Sequence, residues 1–302
     1  MGILVVGSVA LDSVKTPFGE VEEALGGSAT YFSVAASYFT DVSVVAVVGE
    51  DFPEKHVSFL RTKKINLAGL KKAPGKTFRW AGHYNYDLNT ANTLKTELNV
   101  FETFDPELPL EYRDADLVFL ANIDPVLQRR VVEQIKAPKI IAADTMNFWI
   151  ESKRAELIET LKLVNILTIN EAEVRQLADE SNLVKGARKI LSMGPKILIV
   201  KRGEYGVLMF NGGSTFSAPA YPLEDVFDPT GAGDTFAGGF MGYLASIRDF
   251  SDENLRKALV MGSVMASFTV EDFSLGGIRS LSYPEIERRF REFKRLSHFE
   301  DL

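Results

Sequence analysis

The 302-residue sequence predicts an α/β fold in which a mostly parallel sheet is covered by helices on both faces. Strand-like and helix-like stretches alternate along the second half of the chain. The strand-like stretches are apolar at nearly every position, as in Ile3-Leu4-Val5-Val6, which suits strands buried on both faces. Such runs end in glycine or a polar residue (Gly7, Gly49, Asp144, Asn170), and α/β sheets collect their ligands at that edge.

In chain order, the first strand covers 3–6 and leads through Gly7 to Asp12 on the following loop. Residues 15–23 are polar, with Pro17 and Gly19. Gly26-Gly27 then opens a helix to about residue 39, with Ser28 as its N-cap. A second buried strand covers 42–48. Residues 78–86 and 92–98 differ in character, because Phe78, Trp80, Tyr84 and Tyr86 are interleaved with polar residues. That alternation predicts half-exposed strands of a small sheet laid over the main domain. After Pro109, strands at 117–121, 139–143, 166–169 and 197–200 alternate with helices at 126–135, 151–163, 171–178 and 185–193. A hairpin turns across Asn211-Gly212-Gly213. Helices near 232–247, 252–270 and 284–296 close the chain.

Hydrophobic residues make up 46% and charged residues 25% of the sequence, ordinary values for one large globular domain. A net charge of −7 argues against nucleic acid as a main partner. The absence of cysteine excludes disulfides and thiolate chemistry, and three histidines are too few for a multi-histidine metal centre. The N-terminus lacks the basic region of a signal peptide, and no apolar run reaches membrane-spanning length. A cytoplasmic protein without a membrane partner is expected.

The residues at 228–240, Asp-Pro-Thr-Gly-Ala-Gly-Asp-Thr-Phe-Ala-Gly-Gly-Phe, do not read as an apolar element. Pro229 and the glycines allow a sharp turn and a close approach to a ligand. Phe236, Phe240, Tyr243 and Leu244 recur at helical spacing, so Gly231 to Asp234 form a first helical turn. Free N–H groups there, with the positive end of the helix dipole, make an anion site. Asp234 either caps that helix or, at the mouth of an anion hole, takes a proton from an attacking alcohol. Other phosphate-binding patterns fail. Leu70 stands where a P-loop ending in Gly75-Lys76-Thr77 needs its first glycine, and Phe236 breaks a dinucleotide fingerprint counted from Gly231.

This stretch resembles the second signature of the ribokinase (PfkB) family of sugar and nucleoside kinases, departing at Pro229. The resemblance implies a ribokinase-like three-layer α/β sandwich over residues 1–302, with a small β-lid from segments near 13–24 and 77–98. It implies Asp234 as the catalytic base and the amides of Gly231, Ala232 and Gly233 as the cradle for the transferring phosphate. Gly7 to Asp12 resembles the family's G-x-x-x-x-D, in which the acid accepts hydrogen bonds from two substrate hydroxyls. Gly26-Gly27 resembles its first signature, but Tyr31 stands where the sugar-binding asparagine usually sits. Asn170 and Glu173 match N-x-x-E, implying a role in holding hydrated Mg²⁺ and the phosphates of ATP. A helix-start acid favouring the dipole is the plainer alternative, one that suits Glu171 better than Glu173.

Lys201, Gly203 and Gly206 resemble the K-x-G-x-x-G turn beside the nucleotide, where a tight hairpin would equally want the glycines. Asp228 and Thr230 are placed to give carbonyls to a monovalent cation such as K⁺, and residues 267–277 match the family loosely as the other half of that shell and the adenine pocket. Asn122, at a strand end, is a further acceptor contact. The implied reaction is transfer of the γ-phosphate of ATP to a primary hydroxyl of a sugar or sugar-like acceptor. A nucleoside is the alternative acceptor, since Phe18, Tyr31, Phe78, Trp80, Tyr84 and Tyr86 supply rings for stacking. A catalytically inactive relative acting as a binding protein and an NAD-linked oxidoreductase are the more distant readings. Dimerisation through the lid is a further expectation from the family.

Overall fold

The computed structural model describes residues 2–298 and 300. Its elements run β1 (Ile3–Val6), β2 (Ala10–Thr16), β3 (Gly19–Gly26), α1 (Ser28–Ala36), β4 (Val42–Gly49), α2 (Glu54–Thr62), β5 (Ile65–Ala73), β6 (Arg79–Tyr84) and β7 (Ala91–Glu97). They continue with β8 (Leu117–Leu120), α3 (Pro125–Gln134), β9 (Ile140–Asp144), α4 (Asn147–Ser152), α5 (Arg154–Leu161), β10 (Ile166–Asn170), α6 (Glu171–Ala178) and α7 (Leu183–Leu191). The remainder is β11 (Ile197–Lys201), β12 (Val207–Asn211), β13 (Ser214–Ala218), α8 (Ala232–Ile247), α9 (Asp252–Thr269) and α10 (Tyr283–Ser297).

A nine-stranded sheet has the order β13-β12-β11-β10-β9-β8-β1-β4-β5 and is parallel from β11 to β5. The antiparallel hairpin β12–β13 closes one edge. Strand alternation splits the core into two layers. Ile3 and Val5 pack with Phe32, Phe240, Leu244 and Val264 on one face, whereas Leu4 and Val6 pack with Val131, Leu157 and Val174 on the other. Because both faces are covered, the central strands must be apolar throughout, which is why they were legible as uninterrupted runs. The three layers of the expected sandwich are all present.

The second sheet, β3-β2-β6-β7, uses the segments expected to form a separate small sheet. Here one expectation needs correcting. Asp12 lies inside β2, paired with Ala24 on β3 and with Trp80 on β6, and not on a loop after β1. The chain leaves β1 and within three residues enters the other sheet, so the carboxylate is held on two sides by backbone ladders.

Further differences have local causes. Ser28 is not the N-cap of α1; Gly27 is, with φ 94° and ψ 147°, and the Ser28 hydroxyl sits 3.1 Å from that of Ser8. The helix expected over 151–163 is two helices, broken where Lys153 takes the non-helical φ −137°, ψ 40°. α2 and β5 carry no clear sequence signal. Only Phe59 and Leu60 are buried in α2, and β5 is an edge strand with exposed Lys71 and Lys72.

Candidate active site

Strands β1 and β8 are neighbours, yet the chain proceeds from β1 toward β4 and from β8 toward β13. This reversal is the kind of crevice in which α/β sheets bind ligands. The C-terminal ends of β9, β10 and β11 deliver Asp144, Asn170 and Lys201 to the same edge, with Asn170 and Lys201 in register.

Asp12 is 6% exposed and accepts a hydrogen bond from the Gly27 N–H at 3.3 Å. Burial pushes its pKa up to about 7, with the charges of Asp228 and Asp234 adding and the Gly27 bond opposing. Gly26 lies directly against this carboxylate, where a β-carbon would collide with it. Tyr31 on α1 is 1% exposed, and its ring covers Gly231 so closely that only glycine fits there. Gly231 also holds φ 75°, the left-handed conformation that glycine adopts without strain. The Tyr31 hydroxyl has no hydrogen bond of good geometry among the described residues; burial followed by the Asp12 and Asp228 charges drives its pKa well above the ordinary tyrosine value, with the nearby Ser274 side chain opposing.

The stretch 228–234 makes a rigid turn. Asp228 accepts from the N–H of Thr230 at 2.9 Å and from the N–H of Ser274 at 3.1 Å, so its side chain ties this loop to the segment near 274. α8 begins at Ala232 with Gly231 as N-cap and no side-chain cap. Asp234 therefore does not cap its helix. The Ala232 N–H, expected with those of Gly231 and Gly233 to cradle the phosphate, instead donates to the Pro229 carbonyl at 3.2 Å, which leaves the first-turn amides of Gly233 and Asp234 without helical partners. Burial raises Asp234 to about 7, Asp144 adds to the shift, and Lys201 opposes it. The Lys201 ammonium stands 3.0 Å from where a β-carbon on Gly233 would lie, so a buried cation borders the anion-hole turn.

On the opposite wall the groups are paired. Lys201 Nζ donates to Asp144 Oδ2 at 2.8 Å, and the Thr145 N–H donates to Asp144 Oδ1 at 2.8 Å. Burial disfavours the Lys201 ammonium, but Asp144 and Glu173 outweigh it and hold its pKa above the ordinary lysine value. Asn170 and Glu173 form a reciprocal capping box on α6. The Asn170 N–H donates to Glu173 Oε2 at 2.7 Å, and the Glu173 N–H donates to Asn170 Oδ1 at 2.9 Å. Glu173 therefore has a helix-start role, although that reading suits Glu171 better in the sequence. Burial and the Asp144 charge nonetheless raise its pKa, and one carboxylate oxygen is uncommitted. Gly203 and Gly206 turn the β11–β12 hairpin, with the Arg202 N–H donating to the Gly206 carbonyl at 2.9 Å. Asn122 accepts from the Trp149 indole N–H at 3.1 Å, which commits its carbonyl oxygen to α4.

The small sheet closes over this edge. The Tyr84 hydroxyl lies 3.3 Å from Thr230 Oγ1, Ser274 Oγ donates to the Leu25 carbonyl at 2.7 Å, and Phe18 meets Phe227 edge-on at 6.2 Å. Tyr84 is pushed up to about 12 by burial, with the Thr230 bond opposing and the nearby carboxylates adding. Asp12, Trp80 and Tyr84 share one face of the sheet, and Tyr84 shows that this face looks into the cleft. The Trp80 indole packs so closely against Gly82 that a β-carbon there would collide with it, and its N–H donates to Thr93 Oγ1 at 3.2 Å. Phe78, in contrast, stacks on Phe101 at 5.2 Å, and Tyr86 is 83% exposed; neither ring joins Trp80 in the cleft.

A model of the pfkB family carbohydrate kinases matches residues 3–279. The chain belongs to this family. It is 30% identical over 247 residues to the cytidine kinase of Thermococcus kodakarensis, covering 80% of this chain and 87% of that one. It is 26% identical over 273 residues to the ribokinase of Staphylococcus aureus, covering 83% and 84%. Among solved structures, a putative ribokinase II from E. coli in complex with ATP and Mg²⁺ superposes with a TM-score of 0.77 at 18% identity, covering 96% and 99%, and shares the fold. The protein is a kinase, and kinases of the PfkB family act on sugars or nucleosides with ATP and Mg²⁺. No helix among the described residues is long and apolar enough to cross a membrane.

Asp144 is the one residue of this site to which the sequence reading gave no role. Its position at a strand end was visible, but its contact with Lys201, 57 residues away, was not.

Proposed function

We propose that this PfkB-family kinase phosphorylates the primary hydroxyl of a nucleoside at the expense of ATP. The observation carrying the nucleoside reading is the Trp80 indole, packed against Gly82 on the cleft face of the small sheet and paired in register with Asp12. A planar base stacks on such a platform while Asp12 accepts from the vicinal hydroxyls of its ribose. The 30% identity to a cytidine kinase points the same way. A free sugar is the second reading, favoured by the ribokinase relative and by Asp12 alone.

Asp234, uncapped and raised to about 7, takes the proton of the acceptor hydroxyl as that oxygen attacks the γ-phosphorus. The bond to the β–γ bridging oxygen breaks, giving ADP and the phosphorylated acceptor. The Gly233 and Asp234 amides and the Lys201 ammonium face the charge that develops on the phosphoryl oxygens. The donor set fits Mg²⁺ carried on ATP phosphates and water. Glu173 keeps one uncommitted oxygen, Asn170 is tied to it, and no cluster of three or more ligating side chains occurs among the described residues. When bound, the ion would neutralise phosphate charge. The carbonyls of Asp228 and Thr230 remain our candidates for a monovalent cation. The small sheet serves as a lid that excludes water from the transfer.

Turnover with cytidine, adenosine and inosine against ribose and fructose tests the proposal. Nucleosides should exceed free sugars in kcat/KM by at least tenfold. Free sugars matching or exceeding nucleosides would move the acceptor to the second reading.

A further inference from the structure

An open surface depression of about 460 Å³, away from the cleft, is lined by Lys55, Ser58, Phe59, Thr62, Lys63, Arg279 and Ser280. Three cations face it, and none has a carboxylate within 4 Å among the described residues. Neighbouring Arg61 does pair, with Glu54 at 3.6 Å. In a chain of net charge −7 such a gathering of unpaired cations is not the average surface.

Two of the cations are held in place. The Arg279 guanidinium lies over the Phe59 ring at 4.4 Å. Lys63 Nζ donates to the Tyr38 hydroxyl at 2.7 Å and lies over that ring at 4.4 Å, and the Tyr38 hydroxyl donates to the Ile278 carbonyl at 2.6 Å. Much of the entropy of ordering these side chains is therefore lost on folding and not on binding. Burial, with the Arg279 charge adding, lowers the pKa of Lys63, and an anion between the two would favour the charged form.

We propose that this depression is a second anion site, built for the phosphate group of a small phosphomonoester or for inorganic phosphate. Its size suits a small molecule, and the surrounding negative charge disfavours a polyanion such as nucleic acid. Lys63 and Arg279 grip the phosphate, with Lys55 and the Ser58 and Ser280 hydroxyls at the rim. The site is joined along the chain to the catalytic end of the molecule. Arg279 follows the short turn Gly276–Ile278, and Ser274 before it bonds to both Asp228 and Leu25. An occupied site would brace the segment that ties the 228–234 turn to the lid.

The test is calorimetric titration of the full chain with inorganic phosphate and, separately, with ribose 5-phosphate, at constant ionic strength. Wild type is compared with the double variant Lys63→Gln, Arg279→Gln. Neither residue lies in the cleft, so turnover without added phosphate reports that the variant is folded. Wild type should show one more binding event than the variant, or at least tenfold tighter overall binding. A preference for ribose 5-phosphate names a phosphomonoester as the ligand, and equal affinities name the phosphate group alone. Coincident isotherms in wild type and variant would overturn the proposal, whatever the acceptor of the kinase proves to be.

Discussion

On the wall built from β9, β10 and β11, Asp144, Glu173 and Lys201 each have a partner in the protein. On the wall built from β2, α1 and α8, Tyr31 and Asp234 have none, and Asp12 has a single long bond. Of the four orphaned buried side-chain atoms among the described residues, three (Thr30 Oγ1, Tyr31 OH, Thr235 Oγ1) belong to α1 and α8. Buried polar groups without partners cost on the order of 1–3 kcal/mol each, so the second wall carries a stability cost that the first does not. The first wall is finished on folding. Removing charge should therefore have opposite consequences for stability on the two sides.

Asp234→Asn carries the largest expected effect. If Asp234 is the base, the change should cut kcat by roughly 10²–10⁴ while ATP still binds. The same change should stabilise the apo protein above neutral pH. A carboxyl raised from 3.8 to about 7 in the folded chain gives stability that is full below pH 3.8 and lost as pH rises through 7. Thermal melts of both forms at pH 5 and pH 8 check this, with the gap in Tm opening at pH 8. In the wild type, kcat should fall about tenfold per unit as pH drops below 7, as the base protonates. Near-normal turnover of the variant would reduce Asp234 to a bystander.

Lys201→Met probes the finished wall. Here a buried pair loses one member, and the uncompensated Asp144 carboxylate, 7% exposed, should cost about 3–5 kcal/mol of stability. The melt should drop at pH 8, where that of Asp234→Asn rises. Equal behaviour of the two variants in urea titration would erase the distinction between the walls.

How far the sequence disclosed these walls follows from the range of the contacts. The central strands were legible because burial on both faces leaves no polar position, and the anion-hole turn because its glycines and carboxylate stand within seven residues. Strand β5 was not, since an edge strand carries lysines, and neither was the split at Lys153, which no proline or glycine marks. Asp12 was identified but put on a loop, because the step from one sheet to the other takes only three residues. The Lys201–Asp144 pair and the Trp80–Gly82 platform depend on strand order and register, which a single sequence does not print. Tyr31 was visible as a departure from the family, but its contact with Gly231 was not.

Trp80→Ala separates the acceptors. A base stacked on the indole should lose roughly 1–3 kcal/mol of binding, read as a rise in KM for the nucleoside with KM for ATP unchanged. A small sugar held by Asp12 would instead lose lid closure, read as ATP hydrolysis without acceptor phosphorylation.

Tyr31→Phe is the smallest change, and it separates two meanings of an orphaned hydroxyl. Only one oxygen is removed, and the ring that covers Gly231 stays, so the anion-hole turn keeps its shape. If the hydroxyl is idle, deleting it relieves an unsatisfied buried group. The apo protein should then gain about 1 kcal/mol, with no kinetic change. If the acceptor supplies the missing partner, the apo protein should gain the same amount. KM for the acceptor should in addition rise about fivefold to a hundredfold, while KM for ATP and kcat stay close to wild type. A melt of the apo protein shows that the hydroxyl is orphaned, and the acceptor KM shows what it waits for. A variant less stable than wild type would mean that the hydroxyl is already satisfied within the fold, and the contrast between the two walls would then rest on Asp12 and Asp234 alone.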